Sequence, residues 1–221
     1  MAPQVGYDPG RFGQFRTMMR ELPEDVWWPL YDKVNYPSAG VGSLTFFSTP
    51  RGQNATLLRM GTTTAGETAS ATRAKTLMDS NVEQAGVLPT KAYKIYGLKM
   101  QYTGARVDFG GTNPHLTGSD KQILALAGVV EFRIIDKPYL QIPLADIPEP
   151  VGMAYTAGGT TNTGGYWGTG NPRDCYWLGV PLVLEPFQNF QIVITFDGSP
   201  ILNRAMDVQL ELQGMIRRPG Q

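Results

Sequence analysis

The chain has 221 residues, of which 42% are hydrophobic and only 17% are charged, and its net charge is zero. This length is typical of one β-sandwich or barrel, with enough apolar residues for a sizeable core. The low, balanced charge argues against binding of nucleic acid or an anionic membrane through a strong electrostatic field. It favours a surface that neighbouring copies cover.

Cysteine and histidine occur once each, as Cys175 and His115. One cysteine excludes an intrachain disulfide, and this pair excludes a Cys/His zinc site within one chain. The absence of an intrachain disulfide is typical of a protein that assembles in a reducing cytoplasm. We expect no signal peptide, because the first residues, MAPQVGYDPGRFGQF, lack an apolar run. We expect no membrane-spanning helix, because no apolar stretch approaches about 18 residues.

Residues 1–42 predict an N-terminal arm, helical or extended, that differs from the rest of the chain. Arginines alternate there with apolar residues whose spacings of three and four predict a short amphipathic helix. These apolar residues are Phe12, Phe15, Met19 and Leu22. Two interpretations stay open: the arm packs on its own domain, or it docks on a neighbouring subunit or an internal surface. A helix on a membrane surface is less favoured, because Lys and Arg are few.

The first strand is predicted at residues 43–48, where turn chemistry at 49–52 ends it. Residues 61–75 are small and polar without periodicity, which predicts a long surface loop. Residues 76–89 suggest a short helical turn. From residue 93 the pattern is clearer: Tyr96 shares one parity with three further apolar residues, which predicts a half-buried strand.

Residues 119–121 either cap a brief helix or begin an apolar strand, and the β-branched residues at 129–135 favour a strand. A short successor follows at 139–144. Prolines at 138, 143, 148 and 150 indicate an edge strand or a connection, since proline cannot donate to a central ladder. The Gly/Thr-rich tract at 157–172 predicts an exposed, irregular loop.

The last third has the clearest strand patterns. Residues 176–185 predict a strand with Pro181 inside it, hence an edge or a bulge. Apolar residues alternate with polar ones over 190–196 and again over 208–216. We therefore predict an all-β fold: a single jelly-roll sandwich of about eight antiparallel strands over residues 43–221, with long loops and a short N-terminal helical arm.

No catalytic signature is found: the chain lacks G-x-S-x-G, a P-loop, H-E-x-x-H and C-x-x-C. His115 lies in a Gly/Pro-rich turn, which indicates a solvated or structural role. Cys175 begins a strand, as a small core residue does. Asp207 and Glu211 share the polar row of one strand, which indicates a solvated or interface face. We predict no enzyme, no catalytic residue, no cofactor and no metal site.

Aromatic residues flank the Gly/Thr loop: Tyr166, Trp167, Tyr176 and Trp177. Three interpretations stay open. The residues pack at the base of the loop, they form a subunit contact, where Tyr and Trp are enriched, or they bind carbohydrate. The last interpretation defines the alternative function, a β-sandwich carbohydrate-binding module.

Five segments carry a resemblance to a known family. In chain order they are LTFFS, TLMDSNVEQAGVLPTKAYKIYGLKMQY, VEFRIIDKPYLQIPLADIP, WLGVPLVLEPFQNFQIVITF and DVQLELQGMIRRPGQ. Together they resemble the jelly-roll major capsid proteins of tailless icosahedral bacteriophages and related environmental viruses. The resemblance covers residues 43–60, 76–145 and 176–221, and its motifs are patterns of strands and turns.

The resemblance implies a capsid subunit that is assembled in the host cytoplasm, is located in the virion and takes no small-molecule substrate. Its expected partners are copies of itself, in trimers or higher capsomers, together with minor or penton capsid proteins. The arm is then expected to tie subunits together or to contact the genome or an inner membrane. The candidate inter-subunit residues are Arg11, Phe12, Phe15, Arg16, Trp27, Trp28, Tyr166, Trp167, Arg217 and Arg218.

Overall fold

The computed structural model describes residues 24–58, 70–88, 91–103, 117–148, 153–155, 165–167, 175–202 and 205–218. Within them lie thirteen strands, one α-helix (α1, Thr117–Ala127) and one 3₁₀ turn (Leu144–Asp146). The strands are β1 (Glu24–Trp27), β2 (Leu30–Tyr36), β3 (Ser43–Phe46), β4 (Asn54–Leu58), β5 (Ser70–Ala74), β6 (Tyr93–Thr103), β7 (Gly128–Ile134), β8 (Lys137–Pro143), β9 (Met153–Tyr155), β10 (Gly165–Trp167), β11 (Tyr176–Leu184), β12 (Phe190–Phe196) and β13 (Met206–Arg218). The all-β class is confirmed.

Two antiparallel sheets make up the sandwich. In the first, β13 pairs with β6, which pairs with β11, while β2 and β1 pair with successive halves of the other side of β13. The second sheet has the order β3-β12-β7-β8. Eight strands form the two walls of the sandwich: β2, β3, β6, β7, β8, β11, β12 and β13. Counted in this order, the first pairs with the last (β2 with β13) and the second with the seventh (β3 with β12). The third pairs with the sixth (β6 with β11) and the fourth with the fifth (β7 with β8). One long antiparallel ribbon is thus rolled into two sheets, as in a jelly roll.

The core lies between the sheets and is built from the alternating rows that the sequence predicts. Phe190, Ile192, Ile194 and Phe196 are buried on β12, while Gln191 between them is exposed. The even-numbered row of β13 is buried in the same way. Burial of each such side chain contributes about 1.5–3 kcal/mol. This period of two sets the register, because a slip of one residue would turn a whole row to solvent.

The prolines within strands lie at sheet edges. In the described residues, β11 forms one edge of the first sheet and β8 one edge of the second. Pro181 lies in β11 where its register with β6 shifts between Trp177 and Leu182, and Pro138 and Pro143 lie in β8. The predicted edge and bulge are confirmed, since an edge strand tolerates a missing N–H donor.

The start of the sandwich differs from the prediction. The sequence predicts an arm up to residue 42, whereas β1 and β2 are integral strands of the first sheet. Leu30 and Tyr36 on β2 face the core, but a buried charge at Asp32 interrupts their apolar row and hides its period of two. Residues 1–23, which contain the predicted helix, lie outside the described residues.

One further segment differs. The predicted loop at 61–75 contains β5, which pairs with β4 as a hairpin. The hairpin consists largely of small and polar residues and has no apolar row by which a strand is recognised. The short turn predicted within 76–89 is present, because the amides of Asp79 and Ser80 both donate to the Thr76 carbonyl, at 3.0 and 3.1 Å. Of the two alternatives for 119–121, the structure has the helix, α1, followed directly by β7.

Candidate functional site

The predicted contact residues are only partly within the described region. Arg11, Phe12, Phe15 and Arg16 lie outside it. Tyr166 and Trp167 belong to β10, which pairs with β9, and the backbone of Arg218 pairs with that of Glu24; the side chains of these three residues are not described. Trp27, Trp28 and Arg217 are described, and the two tryptophans are exposed.

An exposed apolar cluster lies at one end of the outer face of the first sheet. The ring of Trp27 stacks on that of Tyr96, with centroids 6.0 Å apart and an angle of 22° between the planes. The hydroxyl of Tyr96 donates to the Sδ atom of Met215 at 3.9 Å. Trp177 and Val183 lie on the same face in β11, where Trp177 is beside Gly97 and Lys94 separates Val183 from Met215. We call these five residues the aromatic patch: Trp27, Tyr96, Trp177, Val183 and Met215.

A bulge in β6 turns Tyr96 towards the patch. Gln213 of β13 pairs with Gly97 and Gly214 pairs with Ile95, so Tyr96 is an extra residue in the ladder. Such a bulge redirects the side chain. The prediction that Tyr96 shares the buried row of Leu98 is therefore wrong: Ile95 takes the buried position and Tyr96 lies half-buried on the outer face.

Gly97 allows Trp177 to lie close to β6. A Cβ atom at Gly97 would come 3.3 Å from Cε3 of Trp177 and only 2.5 Å from Sγ of Cys175. Trp177 therefore lies over a position without a side chain, yet it remains 53% exposed; Trp27 is 45% exposed. The patch thus presents indole rings to solvent on a sheet face that is otherwise largely polar.

The side chains of Cys175 and Glu211, which the sequence offers as reactive groups, make contacts within the folded domain. Cys175 is buried, and its thiol donates to the Leu98 carbonyl at 3.3 Å. Burial raises the pKa of this thiol to about 11, so it is protonated at neutral pH. Glu211 forms an ion pair with Lys99 at 3.1 Å. His115 lies outside the described residues.

Charged side chains are buried at the opposite end of the first sheet. Asp32 faces the core of the sandwich, where Nζ of Lys75 lies 2.7 Å from its Oδ1 and the N–H of Phe47 donates to its Oδ2 at 2.7 Å. The side chains of Asp32 and Lys75 are 0% and 2% exposed. Burial raises the pKa of the Asp32 carboxyl, although the charge of Lys75 opposes this shift.

Two more aspartates connect the β4–β5 hairpin to the sheet, and Asp79 does so through Nζ of Lys33 on β2, which lies 3.6 Å from its Oδ1. Arg73 of β5 donates to Asp79 through two bonds of 2.6 and 2.9 Å. Burial alone would raise the pKa of Asp79, but the bonds from Arg73 and Thr76 outweigh it and hold the pKa well below its usual value. Asp207 accepts the N–H of Leu58 at 3.0 Å.

Asp207 corrects a prediction. Its place on the polar row of β13 suggests a solvated or interface position, but the residue is buried under the end of β4. Burial raises the pKa of its carboxyl. We call Asp32, Arg73, Lys75, Asp79 and Asp207 the polar anchor, because together they fasten the hairpin to β2 and β13. The sequence signal for this anchor is the charge at Asp32 within an otherwise apolar inward row.

Neither the described residues nor comparisons with known proteins assign a function to the chain. No group of three or more His, Cys, Asp or Glu side chains within the described ranges is arranged to hold a metal ion. In the same residues, no helix has the length and apolar character needed to cross a membrane. No protein-family model, curated protein or solved structure matches the chain.

Proposed function

We propose that the protein is the major capsid subunit of a tailless icosahedral virus and that it self-assembles into the viral shell. The observation that supports this most is the exposed aromatic patch on the outer face of a jelly-roll sandwich. The strand segments resemble those of capsid proteins, and a shell subunit must bind copies of itself over several faces. We therefore interpret the exposed patch as one of these contact faces.

The energetics of the patch agree with a subunit contact. Exposed tryptophans grouped on one face are unusual for a monomer and mark protein–protein contacts. Trp and Tyr are also the residues that most often dominate the binding energy of an interface. The low charge of the chain also supports a subunit contact, because charged groups are costly to bury between subunits.

Light scattering coupled to size exclusion, with electron microscopy of the same fractions, tests the proposal. We expect the purified protein to form shells or capsomers. Trp177→Ser should abolish this assembly without unfolding the subunit. Tyr139→Ser is the matched control, because Tyr139 is 52% exposed on β8 of the other sheet. A wild-type protein that stays monomeric at high concentration, with no shells or trimers, would contradict the proposal.

A carbohydrate-binding module is the second candidate, and one observation favours it. The stacked pair of Trp27 and Tyr96 beside exposed Trp177 forms an aromatic platform of the kind on which sugar rings stack. Glycan-array binding that disappears in Trp177→Ala or Trp167→Ala would support this function. Absence of binding to every sugar, with assembly intact, would exclude it.

A further inference from the structure

A cavity of about 440 Å³ lies where β2 of the first sheet and β3 of the second meet the β4–β5 hairpin. This volume is typical of small-molecule sites. Among the described residues, no Asp or Glu belongs to its lining, whereas two lysines and four hydroxyl side chains do: Lys33, Lys75, Thr45, Ser48, Thr49 and Thr56. We call this space the lysine cavity.

The ammonium group of Lys33 is mostly buried, yet it makes no hydrogen bond to the described residues. Its side chain is 15% exposed, and its Nζ lies 3.6 Å from Oδ1 of Asp79, which is beyond hydrogen-bond range. A carboxylate has about four lone-pair sites. Asp79 already accepts two bonds from Arg73 and two from Thr76, so the N–H donors of Lys33 are free for another acceptor.

Lys75 adds donors to the same cavity. Its Nζ lies 2.7 Å from Oδ1 of Asp32, which occupies one of its three N–H donors. The side chain is 2% exposed, so bulk water does not reach the others. A buried ammonium group is favourable only when its donors meet acceptors. The two lysines therefore present several unused donors to one enclosed space.

The charge and the donors of the cavity select an oxyanion. A phosphoryl group carries a charge of about −1.5 to −2 and three strong acceptor oxygens, and lysine is a common contact for it. Hydroxyl groups on the lining can donate to the same oxygens. The aspartates of the polar anchor lie outside the lining, and each accepts N–H donors from the protein itself.

We propose that the lysine cavity binds a phosphate group, either as free phosphate or as the phosphoryl group of a small molecule. Lys33 and Lys75 supply the positive charge, and the hydroxyls of Thr45 and Thr49 add neutral donors. The site is independent of the proposed self-assembly. Because the bound group contacts β2, β3 and the residue that follows β5, it stabilises the attachment of the β4–β5 hairpin in the folded chain.

Titration calorimetry of the full-length chain with inorganic phosphate tests the proposal. We expect binding of one phosphate per chain with a Kd on the order of 1 mM. At about 10 mM phosphate, the melting temperature should rise by about 3–6 °C relative to sodium chloride of equal ionic strength. Absence of binding, or an equal rise in sodium chloride, would overturn the proposal.

A matched pair of variants locates the site. Lys33→Gln should weaken phosphate binding by about tenfold or more, because it removes a charged donor. Lys99→Gln is the control: the Lys99 side chain is 18% exposed, close to that of Lys33, but it forms an ion pair with Glu211 at 3.1 Å. Equal losses in the two variants would show that phosphate acts through general screening, which contradicts the site.

Amide chemical shifts of the wild-type protein give a second measurement that needs no variant. Phosphate should move the amide signals of residues 33–37, 45–49 and 55–56 and leave those of β11 unchanged. Movement confined to other residues would overturn the proposal. Adenosine monophosphate as a second probe separates the two sources: binding about tenfold tighter than inorganic phosphate indicates a phosphorylated molecule, and equal or weaker binding indicates free phosphate.

Discussion

The two ends of β13 differ in what its outer face presents. Near its start, Asp207 lies buried beneath the β4–β5 hairpin, in a region where further charges are buried and paired. Near its end, Met215 lies beside Trp27 and accepts a hydrogen bond from Tyr96, and the indole rings of Trp27 and Trp177 remain exposed. The usual distribution of residues is thus inverted at both ends, with charges inside and aromatic rings outside.

This difference separates a surface that residues of the same chain cover from one that they leave exposed. At the polar anchor, the hairpin brings Arg73 and Lys75 to the aspartates, so every charge in the two ion pairs has its counter-charge from the same chain. At the aromatic patch, the sheet supplies the rings but the described residues supply no cover. Folding of one subunit therefore buries the charges of the polar anchor, and we propose that association between subunits covers the aromatic patch.

The largest expected effect comes from breaking the buried pair of the anchor. Lys75→Met leaves the charge of Asp32 without its partner, and the loss of one member of a buried ion pair costs about 3–5 kcal/mol. Urea unfolding measures it. Arg51→Met is the matched control, because the Arg51–Glu83 pair is largely exposed and its loss should cost about 0–1 kcal/mol.

A double variant separates charge from packing. Asp32→Leu combined with Lys75→Met replaces the pair by apolar groups, which is often neutral or stabilising by about 1–4 kcal/mol relative to the ion pair. We therefore expect the double variant to unfold at higher urea than Lys75→Met alone. Equal midpoints for the two variants would show that an unpaired charge is not the cause of the loss.

The core strands could be predicted from the sequence, but the two ends could not. The rows of β12 and the first half of β13 show a local period of two, because each has one face in the core. Asp32 and Lys75 lie 43 residues apart, and no local pattern shows that two such charges meet. The bulge at Tyr96 changes the parity of β6, and a single extra residue leaves no mark on the composition.

The patch depends on long-range pairing in the same way. Trp27 and Trp177 lie on strands far apart in sequence, and only the order β1-β13-β6-β11 brings them to one face. The sequence predicts Trp27 as a contact residue, whereas for Trp177 it leaves open packing at the base of a loop, a subunit contact and carbohydrate binding. That they belong to one surface follows from the topology alone.

Acid should weaken the polar anchor through Asp79. Its pKa is lowered in the folded state, so its contribution to stability is complete above the unfolded pKa of about 3.9 and is lost as the pH falls below it. Asp79→Asn should lose about 1.5–3 kcal/mol at pH 7, the range for hydrogen bonds to a charged group. The gap to wild type should shrink at pH 3, which urea midpoints at both values would measure. Glu83→Gln, at an exposed pair, should change little at either pH, and a gap that stays constant with pH would contradict the role of Asp79.

A smaller loss is expected where Trp177 lies over Gly97. In Gly97→Ala the new methyl group meets the Cys175 sulfur and the Tyr176 carbonyl oxygen, so β11 must shift, at a cost of about 1–3 kcal/mol. Gly179→Ala is the matched control on β11, because a Cβ atom there meets nothing within 4 Å. Thermal unfolding compares the two. Equal melting temperatures would show that the close approach of β11 to β6 is not required.

The smallest effect on stability is expected for Arg217, which lies beyond Met215 on the outer row of β13. Its Nε donates to Asp25 at 3.0 Å, but the side chain is 53% exposed, so Arg217→Ala should cost about 0–1 kcal/mol.

The effect of Arg217→Ala on assembly is more informative. If the aromatic patch is the centre of the contact, Arg217 is at the rim, where charges contribute little affinity. Light scattering should then show weaker assembly than wild type but far stronger assembly than Trp177→Ser. If Arg217→Ala and Trp177→Ser weaken assembly equally, the centre of the interface lies at the end of β13 and not on the indole rings.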